Sequence, residues 1–362
     1  MKKLMAKVHH FIDLRKSFSD FFRYFLKAPE KLWFFGLFPK KIPTLVLHIT
    51  NAILNRMPRF ELNILGCGSA TATLRHLPTS QVLNVRDNVM MIDCGEGAQL
   101  EMRRRKLKFA RLTNIFISHL HGDHCFGLPG LLSTLALLQK SSSVTVHIFE
   151  DGAELFRSMM DYFCRDRCYE LRFNVITKEP RVIYEDSAIT VRTFPLRHRV
   201  PAVGFVFEEK AKMRHVNPEA VRAFDVPQHF MNSLRQGMDY VTPAGVVIPN
   251  EKLTTAAEAS VSYAYASDTT YSERVIQAVE GVDWLYHEAT YGDECEAKAR
   301  QRFHSTARHA AMVAKEAGVK QLILGHYSKR YTDERPLLQQ AQEVFPATRL
   351  ANEGDCIDLM KY

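Results

Sequence analysis

The stretch His119-Leu120-His121-Gly122-Asp123-His124 places four metal-capable side chains within six residues. It follows an apolar, β-rich run, Ile115-Phe116-Ile117-Ser118. A strand there would hold the backbone still just before the donors, so the fold must be organised around one rigid loop that presents them together. Neutral imidazole and carboxylate suit zinc or a similar divalent ion. Six consecutive residues can hardly close four donors on one ion. The H-x-H-x-D-H pattern suits two ions, with His119 and His121 on one and Asp123 and His124 on the other. Such a metal pair can activate water and clamp a phosphate.

The remaining chain supplies more donors at comparable places. Residues 60–65 read as a strand ending in the glycine turn Gly66-Cys67-Gly68-Ser69, and 81–85 and 89–92 as a hairpin. Asp93-Cys94-Gly95-Glu96-Gly97 then feeds a helix over 98–105. Further helices are expected at 127–138, 153–164 and 306–317. Strands are expected at 144–149, 189–196, 203–208, 263–266, 282–286 and 321–324. Strand after strand delivers a metal-capable residue: His119, His198, Asp268 and His326. Gathered at one edge, these ends form a single pocket. Strands followed by helices, repeated in the second half, predict two sheets flanked by helices, an αβ/βα sandwich.

Charge is unevenly distributed. The chain of 362 residues carries a formal charge of +8, but residues 1–59 alone carry +9, which leaves the rest near neutral at −1. Nucleic-acid contact by the body must therefore come from local patches. The strongest is Arg103-Arg104-Arg105-Lys106-Leu107-Lys108, which equally suits a solvated helix end. Residues 1–56 are aromatic and basic, and are expected to be a poorly ordered appendage or short helices, with Met57 a possible natural start. Charges interrupt every apolar core that could serve as a signal peptide. No stretch approaches the ~20 apolar residues of a membrane span. The seven cysteines are odd in number and show no C-x-x-C spacing, which points to free thiols in a reducing, cytoplasmic setting.

With these residues in hand, the chain resembles the metallo-β-lactamase superfold and, within it, the ribonuclease Z family of tRNA 3′-end endonucleases. The resemblance spans about residues 57–359. It rests on Gly66-Cys67-Gly68-Ser69, Asp93-Cys94-Gly95-Glu96, His119 to His124 with Phe126-Gly127-Leu128-Pro129-Gly130, Ser267-Asp268-Thr269, His287-Glu288-Ala289-Thr290, His304-Ser305-Thr306 and Gly325-His326. It implies a four-layer αβ/βα sandwich with a protruding arm, here 209–259, inserted in a catalytic domain spanning 57–362.

The resemblance also implies roles. His119, His121 and His198 would hold a first Zn²⁺, Asp123, His124 and His326 a second, and Asp268 would bridge them. Mn²⁺ or Fe²⁺ suit the same donors. Asp123 would accept a proton from the attacking water, and Glu288 with His304 would serve the leaving 3′ oxygen. Precursor tRNA would be the substrate and a homodimer the assembly. Arg75, Lys329 and Arg330 would contact substrate. Two departures from the family pattern bear on tRNA gripping: Ala72 and Leu74 stand where Pro and Lys are expected, and the arm has Val226-Pro227-Gln228-His229 in place of a Gly-Pro pair. They leave room for a second reading, a metal-dependent phosphodiesterase acting on another RNA or on a small ester.

Overall fold

Phe60-Glu61-Leu62-Asn63-Ile64 alternates apolar and polar side chains, and it opens the first of two seven-stranded sheets. The computed structural model describes residues 60–361, all within one unit, Pro58–Tyr362. The expectations for residues 1–56 and Met57 lie outside the described residues. In the first sheet β1 (Phe60–Gly66), β2 (Ser80–Val85) and β3 (Asn88–Cys94) are antiparallel neighbours. β4 (Leu112–Phe116), β5 (Val144–Ile148) and β6 (Leu171–Val175) continue in parallel. The β2–β3 hairpin turns at Arg86 and Asp87, with φ of 50° and 71°. Positive φ at both central residues gives the turn a twist that matches its strands.

The second sheet begins with the antiparallel β7 (Val182–Glu185), β8 (Ile189–Pro195) and β9 (Val203–Glu209). The insertion follows. It contains β10 (His215–Val216), β11 (Tyr240–Val241), β12 (Val247–Ile248) and β13 (Thr254–Thr255), paired β10 with β13 and β11 with β12. Its own small core joins Val226, Leu234, Tyr240, Ile248 and Leu253. The chain then returns to the sheet as β14 (Ser262–Ala266), antiparallel to β9, with β15 (Trp284–Glu288), β16 (Gln321–Gly325) and β17 (Thr348–Leu350) parallel beyond it. A last strand, β18 (Cys356–Asp358), goes back to the first sheet and pairs antiparallel with β1.

Side-chain alternation explains the layers. Met90, Ile92 and Phe116 point to one face of the first sheet and join Val191, Phe205 and Phe207 of the second. Phe116 meets Phe205 at 5.5 Å and Phe207 edge-on at 5.4 Å, ring pairs that add about 0.5–1.5 kcal/mol each beyond their buried area. Met91, Ile115 and Ile117 point the other way, against the helices Leu128–Leu137 and Glu150–Phe163. Helices Glu273–Ala278, Ala307–Glu316 and Arg335–Gln342 cover the outer face of the second sheet. The order is helix, sheet, sheet, helix, as the sequence pattern predicts. No helix among the described residues is long and apolar enough to cross a membrane.

Candidate active site

β4 ends at Phe116, and three residues later the chain reaches His119; His121 then caps a short helix, Gly122–Cys125, that carries Asp123 and His124. Asp93, near the end of β3, fastens this loop. It is fully buried and sits at φ 52°. Its Oδ1 accepts from the Ser118 N–H (2.7 Å), and its Oδ2 accepts from Ser118 Oγ (2.8 Å), Tyr265 OH (2.6 Å) and His124 Nδ1 (2.7 Å). The Gly127 N–H donates to Cys94 O at 2.8 Å. A Cβ at Gly127 would stand 2.1 Å from Gly95 O, so this approach of two backbones admits only glycine.

The seven expected donors converge. His119 Nε2 and His198 Nε2 lie 3.0 and 3.2 Å from His121 Nδ1, and both lie 3.6 Å from Asp268 Oδ2. On the other side, His326 Nε2 lies 3.3 Å from His124 Nε2, 3.5 Å from Asp123 Oδ2 and 3.1 Å from Asp268 Oδ1. Asp268 thus turns one oxygen to each group. Tetrahedral zinc with bonds of about 2.0–2.1 Å has donor–donor edges of roughly 3.3 Å. The observed separations match, so the donor set fits a pair of divalent ions.

The outer hydrogen bonds fix which ring nitrogen is free. Ser118 Oγ spends its single hydrogen on Asp93, so at 3.1 Å it accepts from His119 Nδ1. Thr290 Oγ1 donates to Glu288 Oε2 (2.5 Å), so at 2.9 Å it accepts from His326 Nδ1. His198 Nδ1 donates to the Phe303 carbonyl at 3.0 Å. In His119, His124, His198 and His326 the Nε2 lone pair is left for the centre. His326 and Phe303 both sit in the left-handed region (φ 61° and 60°), as Asp93 does, and such strain gathers at functional sites.

Glu288, the last residue of β15, is fully buried, and its Oε1 accepts from His304 Nδ1 at 2.9 Å. The same oxygen receives the Thr269 N–H at 2.8 Å. His304 lines a cleft of about 620 Å³ together with Asp123, Asp268, His326, Phe126 and Arg199. Burial works against the His304 cation, but the Glu288 carboxylate outweighs it and pushes the imidazole up to about 9. Burial and the neighbouring imidazoles lower His119, His121 and His198, which keeps them neutral and able to donate lone pairs. His124 goes the other way: burial opposes its cation, but Asp123, Asp268 and Asp93 prevail. The cage calls for positive charge.

Against known proteins, the chain is 48% identical over 307 residues to a ribonuclease Z of Bacteroides thetaiotaomicron, covering 84% of this chain and 97% of that one. This chain belongs to the ribonuclease Z family. A Porphyromonas gingivalis ribonuclease Z is 47% identical over 84% of this chain and its own full length. In three dimensions it is similar to the short form of human tRNase Z, with TM-score 0.61, 24% identity, and coverage of 83% of this chain and 99% of that one. It is also similar to YhfI of Bacillus subtilis, a metallo-β-lactamase fold protein, with TM-score 0.59, 15% identity, and coverage of 82% and 99%. These two likenesses establish the fold. A family profile described as anti-Pycsar protein Apyc1 matches residues 60–213. That stretch holds His119, His121, Asp123, His124 and His198 but stops short of Asp268, Glu288, His304 and His326.

In this ribonuclease Z family chain the remaining predicted residues lie apart from the cleft. Arg75 is engaged by Glu334 (2.6 Å) and the Tyr331 carbonyl (3.3 Å). Arg75 and Lys329 line a separate hollow of about 110 Å³. Arg330 lies over the Tyr291 ring at 5.1 Å. In the basic run, Arg104 and Arg105 both pair with Glu101. His287 is buried, and its Nδ1 donates to the Glu288 carbonyl. Sequence reasoning missed Tyr265, Thr290 and the Ala70 N–H, which donates to Asp123 Oδ2 at 2.6 Å. Thr290 stood in the His287-Glu288-Ala289-Thr290 element without a role of its own, and nothing in a lone tyrosine or backbone amide marks one in advance.

Proposed function

We propose that this chain is a metal-dependent endoribonuclease that removes the 3′ trailer from precursor tRNA and leaves a 3′-hydroxyl on the tRNA. The observation that carries the reading is Asp268 set between two donor groups, with the Glu288–His304 pair beside them at one cleft. Two Zn²⁺ per subunit would be held by His119, His121 and His198 and by Asp123, His124 and His326, with Asp268 shared. Bound there, the ions supply charge neutralisation at the phosphate and an acidified water.

The chain's own groups do the rest. Asp123, steadied by the Ala70 N–H, is placed to take a proton from the attacking water. His304, held at Nδ1 by Glu288, offers a proton from Nε2 to the departing ribose oxygen. Thr269 and Thr290 hold Glu288 in place, and although burial opposes its charge, His304 keeps it ionised. The arm, 209–259, serves as a tRNA-binding exosite, and the working form is a cytoplasmic homodimer. The free state of all seven cysteines suits that setting.

The second reading, a phosphodiesterase for another RNA or a small ester, draws on Arg75, which is tied to Glu334. The arm favours the first, since a small ester needs no projecting element. Zinc-loaded protein given 3′-extended tRNA decides between them. Trailer release with a 3′-hydroxyl on the tRNA supports the proposal. Hydrolysis of a small phosphodiester without RNA cleavage overturns it in favour of the second reading.

A further inference from the structure

The segment Arg197-His198-Arg199 stands between two hollows. Arg199 lines the cleft that holds Asp123 and His304, whereas Arg197 and His198 line a groove of about 1180 Å³ on which Lys178, Arg192 and Arg274 also open. We propose that this groove binds the single-stranded trailer of the RNA, downstream of the cut. The inference rests on the RNA-cleaving reading above and adds a binding subsite to it.

Four cations face this groove against two acids, Glu179 and Glu273. Arg192 is partly engaged, donating to the Ala278 carbonyl (2.8 Å) with Glu208 at 3.4 Å. Lys178, Arg197 and Arg274 are exposed. None of these three has an ion-pair partner within 4.0 Å among the described residues. Unpaired cations crowded in a concavity repel one another, and a polyanion relieves that repulsion while releasing counterions. The body as a whole is near neutral, so this local excess is not a by-product of overall charge.

Position selects the strand. On the tRNA side of the cut the chain soon becomes paired acceptor stem, too broad for a groove beside one histidine. The trailer is the part that stays single-stranded. A strand whose phosphate lies in the cleft passes directly over 197–199 into the groove. The wall it meets is rigid: the Arg197 N–H donates to Thr269 Oγ1 and the Thr270 N–H donates to the Arg197 carbonyl, both at 3.1 Å. The groove is therefore fixed to the same loop that positions Asp268.

The test compares kcat/KM for precursor tRNAs whose trailers differ only in length, about one and about ten nucleotides. Wild-type enzyme is expected to favour the long trailer by about tenfold at low salt, with a steeper salt dependence, by about 0.7 in log–log slope per phosphate contact. Lys178→Glu with Arg274→Glu is expected to bring the ratio close to one. Because the ratio is taken within one protein, partial misfolding does not imitate this result. Arg165→Glu with Arg172→Glu changes net charge equally away from the groove and is expected to keep the wild-type ratio. A wild-type ratio near one, or a ratio that survives in the Lys178/Arg274 variant, overturns the groove. Wild-type protein that cuts neither RNA sinks the RNA reading itself.

Discussion

Glu288 Oε1 lies 2.9 Å from His304 Nδ1, with the carboxylate wholly buried and the imidazole at the cleft wall. That contact occupies Nδ1 and leaves Nε2 for the proton donation proposed above. Glu288→Gln is expected to lower kcat on tRNA by about 10²–10⁴, the range of general acid catalysis. Bis(p-nitrophenyl) phosphate has a phenolate leaving group that needs no proton, so its hydrolysis should fall far less. Equal losses on both substrates would show that Glu288 only maintains the fold.

Replacing one of the two Asp268 oxygens, each of which faces one donor group, should separate metal content from folding. Asp268→Asn is expected to bind about one Zn²⁺ or fewer per chain, where wild type is expected to bind about two. Mass-spectrometric metal analysis with circular dichroism checks this. Two full equivalents in a folded Asp268→Asn protein would contradict the bridging role.

Asp93 reaches the centre through His124 and Ser118 rather than directly. Asp93→Asn should weaken zinc by about 10–100-fold, the usual effect of losing a partner behind a histidine ligand. Tyr265→Phe, which removes one of the four hydrogen bonds to the Asp93 carboxylate, should move affinity in the same direction but less. Competition with a chelator of known affinity measures both. Unchanged affinity in Asp93→Asn would reduce its role to the turn.

A second buried network lies under the loop that carries Ala70. His76 Nδ1 is 2.8 Å from Glu353 Oε2, and its Nε2 is 3.3 Å from Glu334 Oε1. Burial works against the His76 cation, but Glu353 and Glu334 prevail and raise it above 6.5. Burial likewise opposes the Glu353 anion, yet His76 holds it below 4.5. A raised histidine stabilises fully below its unfolded value and stops doing so as pH rises through the folded one. A depressed glutamate stabilises above its unfolded value and fails as pH falls. The pair should therefore contribute most between about 4.5 and 6.5. The Tm difference between wild type and His76→Gln is expected to be largest there and to shrink as pH rises. A difference that is flat with pH would remove the charge from this account.

Much of the centre was legible because its donors are rare residue types at fixed spacing after apolar runs. His198, Asp268 and His326 each follow a strand that its own composition announces. Glu288 and His304 were reached through resemblance, and the structure sets the carboxylate 2.9 Å from the ring. Asp93, placed by the sequence in a turn, also fastens the histidine loop from a left-handed backbone position. Other features left no trace. β6, β7, β17 and β18 are three to five residues long, and β6 and β7 are sheet-edge strands without fully buried residues, so their hydrophobic pattern is weak. The positive φ of His326 and Phe303 is set by tertiary packing, which overrides local preference.

The pairing of β18 with β1 has a bearing on biosynthesis. Leu359 donates its N–H to the Phe60 carbonyl, and its own carbonyl accepts from Trp284 Nε1. These residues follow every donor in the chain, so during synthesis the edge of β1 waits unpaired until after His326 has been made. A nascent chain can collect its histidines before the first sheet is sealed, and a chain cut back between His326 and Cys356 would keep all seven donors yet leave the edge of β1 unpaired.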